Sequence, residues 1–314
     1  MPKARSSKAL KTLSKTGNVV PYQSTVITVN QPQAPAEKVV SSEYGTWADI
    51  PLKDDTLDTI VTEYYPKETG TNPILFVVPK ADENLPDLSR SYIIFNVNGT
   101  EPDRTNLNAD KAWFKNNAFH TIIKSVDIEL NGTTVTINSD DYHQEAYVTT
   151  VLNHTKEEQE SFMICQGWAK DQYGKMDSLV AADNVAITTR GELKDGTKHL
   201  LIGMPIVDLF KIDKLLPPGL RTDLKIYLNE DQKIFLAAGT GADTRPKLKV
   251  NSARLYISRK VPNADLWDKM QKKWMNTPWT IPLTHTKLKT FVMCTASVNF
   301  QEYDIFNGQI PKTM

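Results

Sequence analysis

The dipeptide Asn131-Gly132 constrains this chain more than any other feature. On one side lies Val126-Asp127-Ile128-Glu129-Leu130, on the other Thr133-Thr134-Val135-Thr136-Ile137. Both arms alternate apolar and polar side chains and are rich in β-branched residues, which suits a half-buried pleated surface. Asn-Gly accepts the two positive φ values of a type I′ turn, whose twist matches that of the strands it joins. The spacing therefore predicts a hairpin at this point. Ser139-Asp140-Asp141 then predicts a helix start, with Tyr147, Val148, Val151 and Leu152 sharing one face of the helix that follows. A hairpin feeding a short helix implies a mostly-β domain with a helix laid on it.

The rest of the chain supports that class. Leu57 to Tyr65, Pro73 to Val78, Ser91 to Val97, His199 to Met204 and Leu224 to Leu228 are strand-like runs, as are Lys233 to Ala237 and the stretch around Leu248 to Ile257. Asn98-Gly99-Thr100 is expected to end the third of these. Ser24 to Asn30, Phe291 to Cys294 and Ser297 to Phe300 add further short runs. Ser161 to Cys165 fits either a strand or a helix end. Ile206 to Ile212 predicts a short helical segment, and Asn263 a cap for a helix in which Leu266, Met270 and Trp274 recur every four residues. Residues 166–198 form a long polar excursion, a length that usually carries a role of its own. The count is about ten to twelve short strands with two or three minor helices. Turn signals between them favour an antiparallel sandwich or barrel over repeated strand–helix crossovers.

Charge narrows the partners. Lys+Arg and Asp+Glu both number 37, so no global field draws the chain to nucleic acid or to a membrane. The positive charge is local: Lys3, Arg5, Lys8, Lys11 and Lys15 precede the first acid at Glu37. This arm is expected to be mobile, and its five cations are the candidate contact for nucleic acid or a neighbouring subunit. A plain solvated tail fits the same residues equally well. The basic N-terminus lacks the apolar core of a signal peptide, and no apolar run is long enough to span a bilayer. Cys165 and Cys294 are far apart in apolar settings, which predicts two buried thiols and neither a disulfide framework nor a metal site.

Catalytic patterns do not assemble. Gly239-Thr240-Gly241 lacks the following Gly-Lys-Ser/Thr of a phosphate loop and reads as a hairpin loop. His120, His143, His154, His199 and His285 have no metal-binding spacing. The acid pairs Asp54-Asp55, Asp140-Asp141 and Glu157-Glu158 sit at expected turns or helix starts, where carboxylates cap and complement the dipole. Arg190-Gly191-Glu192 reads as a turn. Nothing calls for a cofactor, and the residues favour a structural or binding protein over an enzyme.

Four blocks, in order, carry a resemblance. The first runs from Asn116-Asn117-Ala118-Phe119-His120 into Val126-Asp127-Ile128-Glu129-Leu130-Asn131-Gly132-Thr133, followed by Tyr142-His143-Gln144-Glu145-Ala146-Tyr147. The others are Leu215-Leu216-Pro217-Pro218-Gly219-Leu220-Arg221-Thr222-Asp223-Leu224-Lys225-Ile226, Ala253-Arg254-Leu255-Tyr256-Ile257-Ser258-Arg259-Lys260-Val261, and Phe306-Asn307-Gly308-Gln309-Ile310-Pro311-Lys312. Together these resemble the double jelly-roll major capsid proteins of Polinton/Maverick elements and adintovirus-like viruses. His143 stands where that family usually has proline, and the chain stops at Met314, where the family continues into most of a second jelly roll.

The resemblance implies an all-β fold of antiparallel jelly-roll sandwiches with a few short helices, the first roll complete and the second partial. The divisions it implies are a basic arm and linker over 1–45, a first jelly roll over 46–262, and a connecting helix with the start of a second roll over 263–314. It further implies a non-enzymatic virion subunit, made inside a host cell, that assembles as homotrimers into an icosahedral shell. Its partners would be copies of itself, minor capsid proteins and packaged nucleic acid met by the arm. Two other readings stay open: a minor or penton-like capsid protein with a single jelly roll, and a carbohydrate-active β-sandwich protein. The second of these needs a groove with paired carboxylates and exposed aromatics.

Overall fold

The structure is a computed structural model that describes residues 56–276, apart from 69, 81–83, 104, 108–111, 137–139, 194–195 and 238–244, together with positions 281, 283, 286 and 288. The basic arm, the strand runs at 24–30 and 291–300, the glycines at 239 and 241, Cys294 and the last resemblance block lie outside the described residues.

Ten strands and six helices are described: β1 (Thr56–Tyr64), β2 (Ile74–Val78), β3 (Leu85–Thr100), β4 (Ala112–Phe114), α1 (Ala118–Thr121), β5 (Ile123–Leu130), β6 (Thr133–Thr134), α2 (Tyr142–Asn153), α3 (Lys156–Gln159), α4 (Ala186–Arg190), β7 (His199–Gly203), β8 (Thr222–Leu228), α5 (Asp231–Ile234), β9 (Phe235–Ala237), β10 (Lys247–Pro262) and α6 (Ala264–Asn276). Eight of the strands form two four-stranded sheets, ordered β1-β10-β3-β7 and β2-β8-β5-β6. Every pairing within them is antiparallel.

This order follows from one long ribbon. β5 pairs with β6, β3 with β7, β2 with β8 and β1 with β10, so each pair nests inside the next. Rolling that ribbon brings β10 against β3 and β8 against β5, which closes the two sheets. An eight-strand, double-sheet roll of this kind is a jelly roll. Its innermost pair is the hairpin at Asn131-Gly132, with φ of 50° and 83° at the two turn residues. The expected turn is therefore present, and it forms the tip of the ribbon. Among the described residues of the second arm, Thr133 and Thr134 pair in the ladder and the Val135 amide adds one bond to the Ile128 carbonyl at 2.9 Å.

The core lies between the sheets. Ile93, Phe95 and Val97 alternate inward from β3, and Ala253, Leu255 and Ile257 do the same from β10. Ile74, Phe76 and Val78 from β2, Val126 and Ile128 from β5, and Leu224 and Ile226 from β8 face them. Phe95 meets Phe119 of α1 with ring centroids 5.4 Å apart. Gly203 lets β7 approach that ring: a Cβ there would fall 2.5 Å from Phe119 Cδ1.

Several local expectations are corrected. Asn98-Gly99-Thr100 ends the strand as expected, but from within it: these are the last three residues of β3 and pair with Lys247–Lys249. Lys233 to Ala237 divides into the last residues of α5 and the short strand β9, which pairs with β4. Residues 162–166 form a 3-10 turn, and the helices outnumber the expected two or three. Along α2 it is Tyr142, Ala146 and Thr150 that are buried, while Val148, Val151 and Leu152 are exposed. Small side chains let that helix sit close over α1 and β5, and Thr150 Oγ1 donates to the Ala146 carbonyl at 2.8 Å. Cys165 is exposed, contrary to the buried thiol expected, because it lies on the outer side of the 3-10 turn while Met163 and Gln166 face inward.

Candidate functional site

Between β6 and β7 the chain leaves the sandwich and returns, and the excursion is folded onto its own polar hub. Asp171 is the centre. Its Oδ1 accepts from Asn184 Nδ2 at 2.7 Å and from Arg190 Nη2 at 2.8 Å, and its Oδ2 accepts from Asn116 Nδ2 at 2.9 Å. The Arg190 and Asp171 side chains are only 2% and 6% exposed. Asn116 also donates to the Ala169 carbonyl at 2.6 Å and accepts from the Ala169 amide at 3.0 Å. These bonds tie the start of α1 to a segment 53 positions later. A carboxylate stripped of water is stable only when its lone pairs are filled in this way. Burial opposes the Arg190 charge and Asp171 restores it.

Above this hub opens a cleft of about 460 Å³. α2 supplies His143, Tyr147 and Val148, the excursion supplies Met176 and Asp177, and the end of β4 and α5 supply Lys115 and Lys233. Lys115 reaches there because its amide donates to the Ile234 carbonyl at 2.9 Å, which docks the end of β4 on α5. His143 is held below the usual histidine range by burial first and by the Lys233 charge second. Its Nδ1 and the Nε of Arg190 are buried without a partner.

A second polar cluster sits deeper. His120 Nδ1 lies 2.9 Å from the Tyr142 hydroxyl, and that hydroxyl accepts from the Ile206 amide at 3.0 Å. Donation of the Tyr142 proton to Nδ1 uses the hydroxyl in both directions and requires a neutral imidazole. Burial pushes the His120 pKa down to about 3 and raises that of Tyr142. The pair pins α1, α2 and the segment after β7 together.

The residues singled out in the sequence fall as follows. Glu158 closes a capping box with Thr155 at the start of α3 and so acts as a helix-start residue, whereas Asp140, ahead of α2, forms an ion pair with Lys124 of β5 at 3.3 Å. Asp141 precedes α2 without a side-chain cap bond. Among the described residues no group of three or more histidine, cysteine and acidic side chains is placed to hold a metal ion, and no helix is long and apolar enough to cross a membrane. Lys3, Arg5, Lys8, Lys11 and Lys15 lie outside the described residues, as does Asp54-Asp55. The Asp171 hub has no counterpart among the sequence motifs. Arg190, expected in a turn, is instead the last residue of α4, with Gly191 at φ 79° ending the helix.

No family model and no curated protein matches the chain. Among solved structures it is similar to a chain of the Sputnik virophage cryo-EM structure, at 13% identity and a TM-score of 0.49, covering 79% of this chain and 53% of that one. A chain of the PBCV-1 virus capsid quasi-atomic model matches at 9% identity and a TM-score of 0.46, covering 71% and 47%. The mavirus major capsid protein matches at 13% identity and a TM-score of 0.38, covering 78% and 53%. The chain thus spans about half the length of the structures it matches. The jelly-roll assignment rests on the strand order and not on these likenesses.

Proposed function

We propose that the chain is a shell-forming virion subunit of the double jelly-roll kind, which acts by meeting copies of itself and not by catalysis. One observation carries the reading: the sequence blocks that resemble Polinton/Maverick and adintovirus-like major capsid proteins fall in order on the elements of a nested jelly-roll ribbon. The first covers α1, β5, the Asn131-Gly132 tip and the start of β6, and continues into α2. The next two fall on β8 with the segment before it and on β10. In this reading residues 46–262 form the first roll and 263–314 lead into a second, with homotrimers as the building unit. The basic arm, through Lys3, Arg5, Lys8, Lys11 and Lys15, faces packaged nucleic acid, and minor capsid proteins join the shell.

A minor or penton-like role is the second reading, supported by the closure of a single roll by β10. Native mass spectrometry of the full chain across a range of salt separates the two. A trimer mass is expected for the major subunit. A pentamer would favour the minor protein, and a monomer under every condition would count against both.

A further inference from the structure

The cleft above Asp171 is incomplete as it stands. Lys115 and Lys233 form no ion pair among the described residues, where the only acceptor for Lys115 Nζ is the Gln232 carbonyl at 3.0 Å. His143 Nδ1 and Arg190 Nε lack partners beside them. Val148 and Met176, which also line the cleft, are about half exposed. A surface with spare cationic donors beside bare apolar side chains is suited to an acidic group flanked by apolar ones.

The same chain presents such a group. In the last turn of α2 Leu152 is 75% exposed, and beyond the helix Phe162 is 54% exposed, with Ile164 close to half exposed. Glu157 stands exposed among them with no ion pair among the described residues, since Lys156 is committed to Glu160 and His154 to Glu158. This ridge is acidic and apolar where the cleft is basic and apolar.

We infer that the Glu157–Ile164 ridge of one copy seats in the cleft of a second copy, with Glu157 meeting Lys115 and Lys233 and the ridge's apolar side chains covering Val148 and Met176. A polyanion such as nucleic acid fits less well, because Asp171 and Asp177 line the cleft beside Lys115, Lys233 and Arg190 and leave only one formal positive charge. The contact joins two different patches, so it is either repeated head to tail around a ring or made twice in a reciprocal pair. The inference rests on the proposed self-assembly and names a surface for it.

The test is sedimentation equilibrium on the full chain, as wild type, as Lys233→Glu, as Glu157→Lys, and as an equal mixture of the two variants. Each variant alone should weaken association by roughly tenfold or more, and the mixture should regain it, because the reversed cleft then faces a reversed ridge. Leu152→Ser, at a position already open to water, should weaken association without a charge change. If wild type associates and all variants match it, the inferred surface is wrong while the shell reading stands. If the mixture fails to recover, the charge pairing is wrong. If wild type stays monomeric at every concentration, both the surface and the shell reading fail.

Discussion

Arg190 Nη2 lies 2.8 Å from Asp171 Oδ1, and this pair fastens two distant parts of the β6–β7 excursion to each other. Removing one member leaves the other charged and buried, a change that typically costs about 3–5 kcal/mol. Asp171→Ala should lower the urea midpoint accordingly, with little change in slope. The double variant Asp171→Ala/Arg190→Leu should recover part of the loss, since no uncompensated charge remains. A double variant no more stable than the single one would remove the pair from this role.

Burial of His120 makes stability depend on pH. His120 titrates near 3 in the folded chain against an ordinary value of 6.5, so the unfolded chain binds more protons between those values. Its contribution is complete above about pH 6.5 and is lost as pH falls toward about 3. Burial lowers His143 and His199 as well, which adds in the same direction. Urea midpoints measured from about pH 7.5 down to about pH 4 should fall steadily, and His120→Asn should flatten the slope. An unchanged slope in that variant would mean that other groups set the dependence.

Gly203 tests how closely β7 and α1 are packed. A methyl group there meets the Phe119 ring at 2.5 Å, and the ring is fully buried. Overpacking of this kind costs about 1–3 kcal/mol. Gly203→Ala should lower the melting temperature, and Gly203→Ala/Phe119→Leu should fall less than the sum of its two single changes. Strict additivity would mean that the ring and the strand do not press on each other.

The Asn131-Gly132 tip offers a milder perturbation. With φ of 83° at Gly132, an added side chain is strained even though nothing lies within 4 Å of its Cβ. Gly132→Ala should destabilise by roughly 1–2 kcal/mol, from backbone strain alone. Thermal melting checks the size, and a neutral result would show that the turn has another conformation available.

These elements also show what could be read from the residues. The hairpin was legible because both its determinants, the turn pair and the alternation, are local. The run from Leu224 to Leu228 was legible for the same reason, with Leu224 and Ile226 buried as its period requires. On α2 a 3.6-residue period marks a face but does not say which face is buried. Ala146 and Thr150 lie inside because a close helix-to-sheet approach needs small side chains, and that demand is tertiary. The Asp171 hub was not legible at all. Its members come from four separated stretches, around Asn116, Asp171, Asn184 and Arg190, with no period to connect them. The length of the 166–198 excursion was the one signal that something there had a role.

Electron microscopy of the concentrated 314-residue chain is the sharpest test of the proposed self-assembly. Closed shells or sheets of repeating threefold units are expected, with walls that hold the β1-β10-β3-β7 and β2-β8-β5-β6 sheets. A field of single, dispersed chains at every salt concentration and pH tried would contradict it.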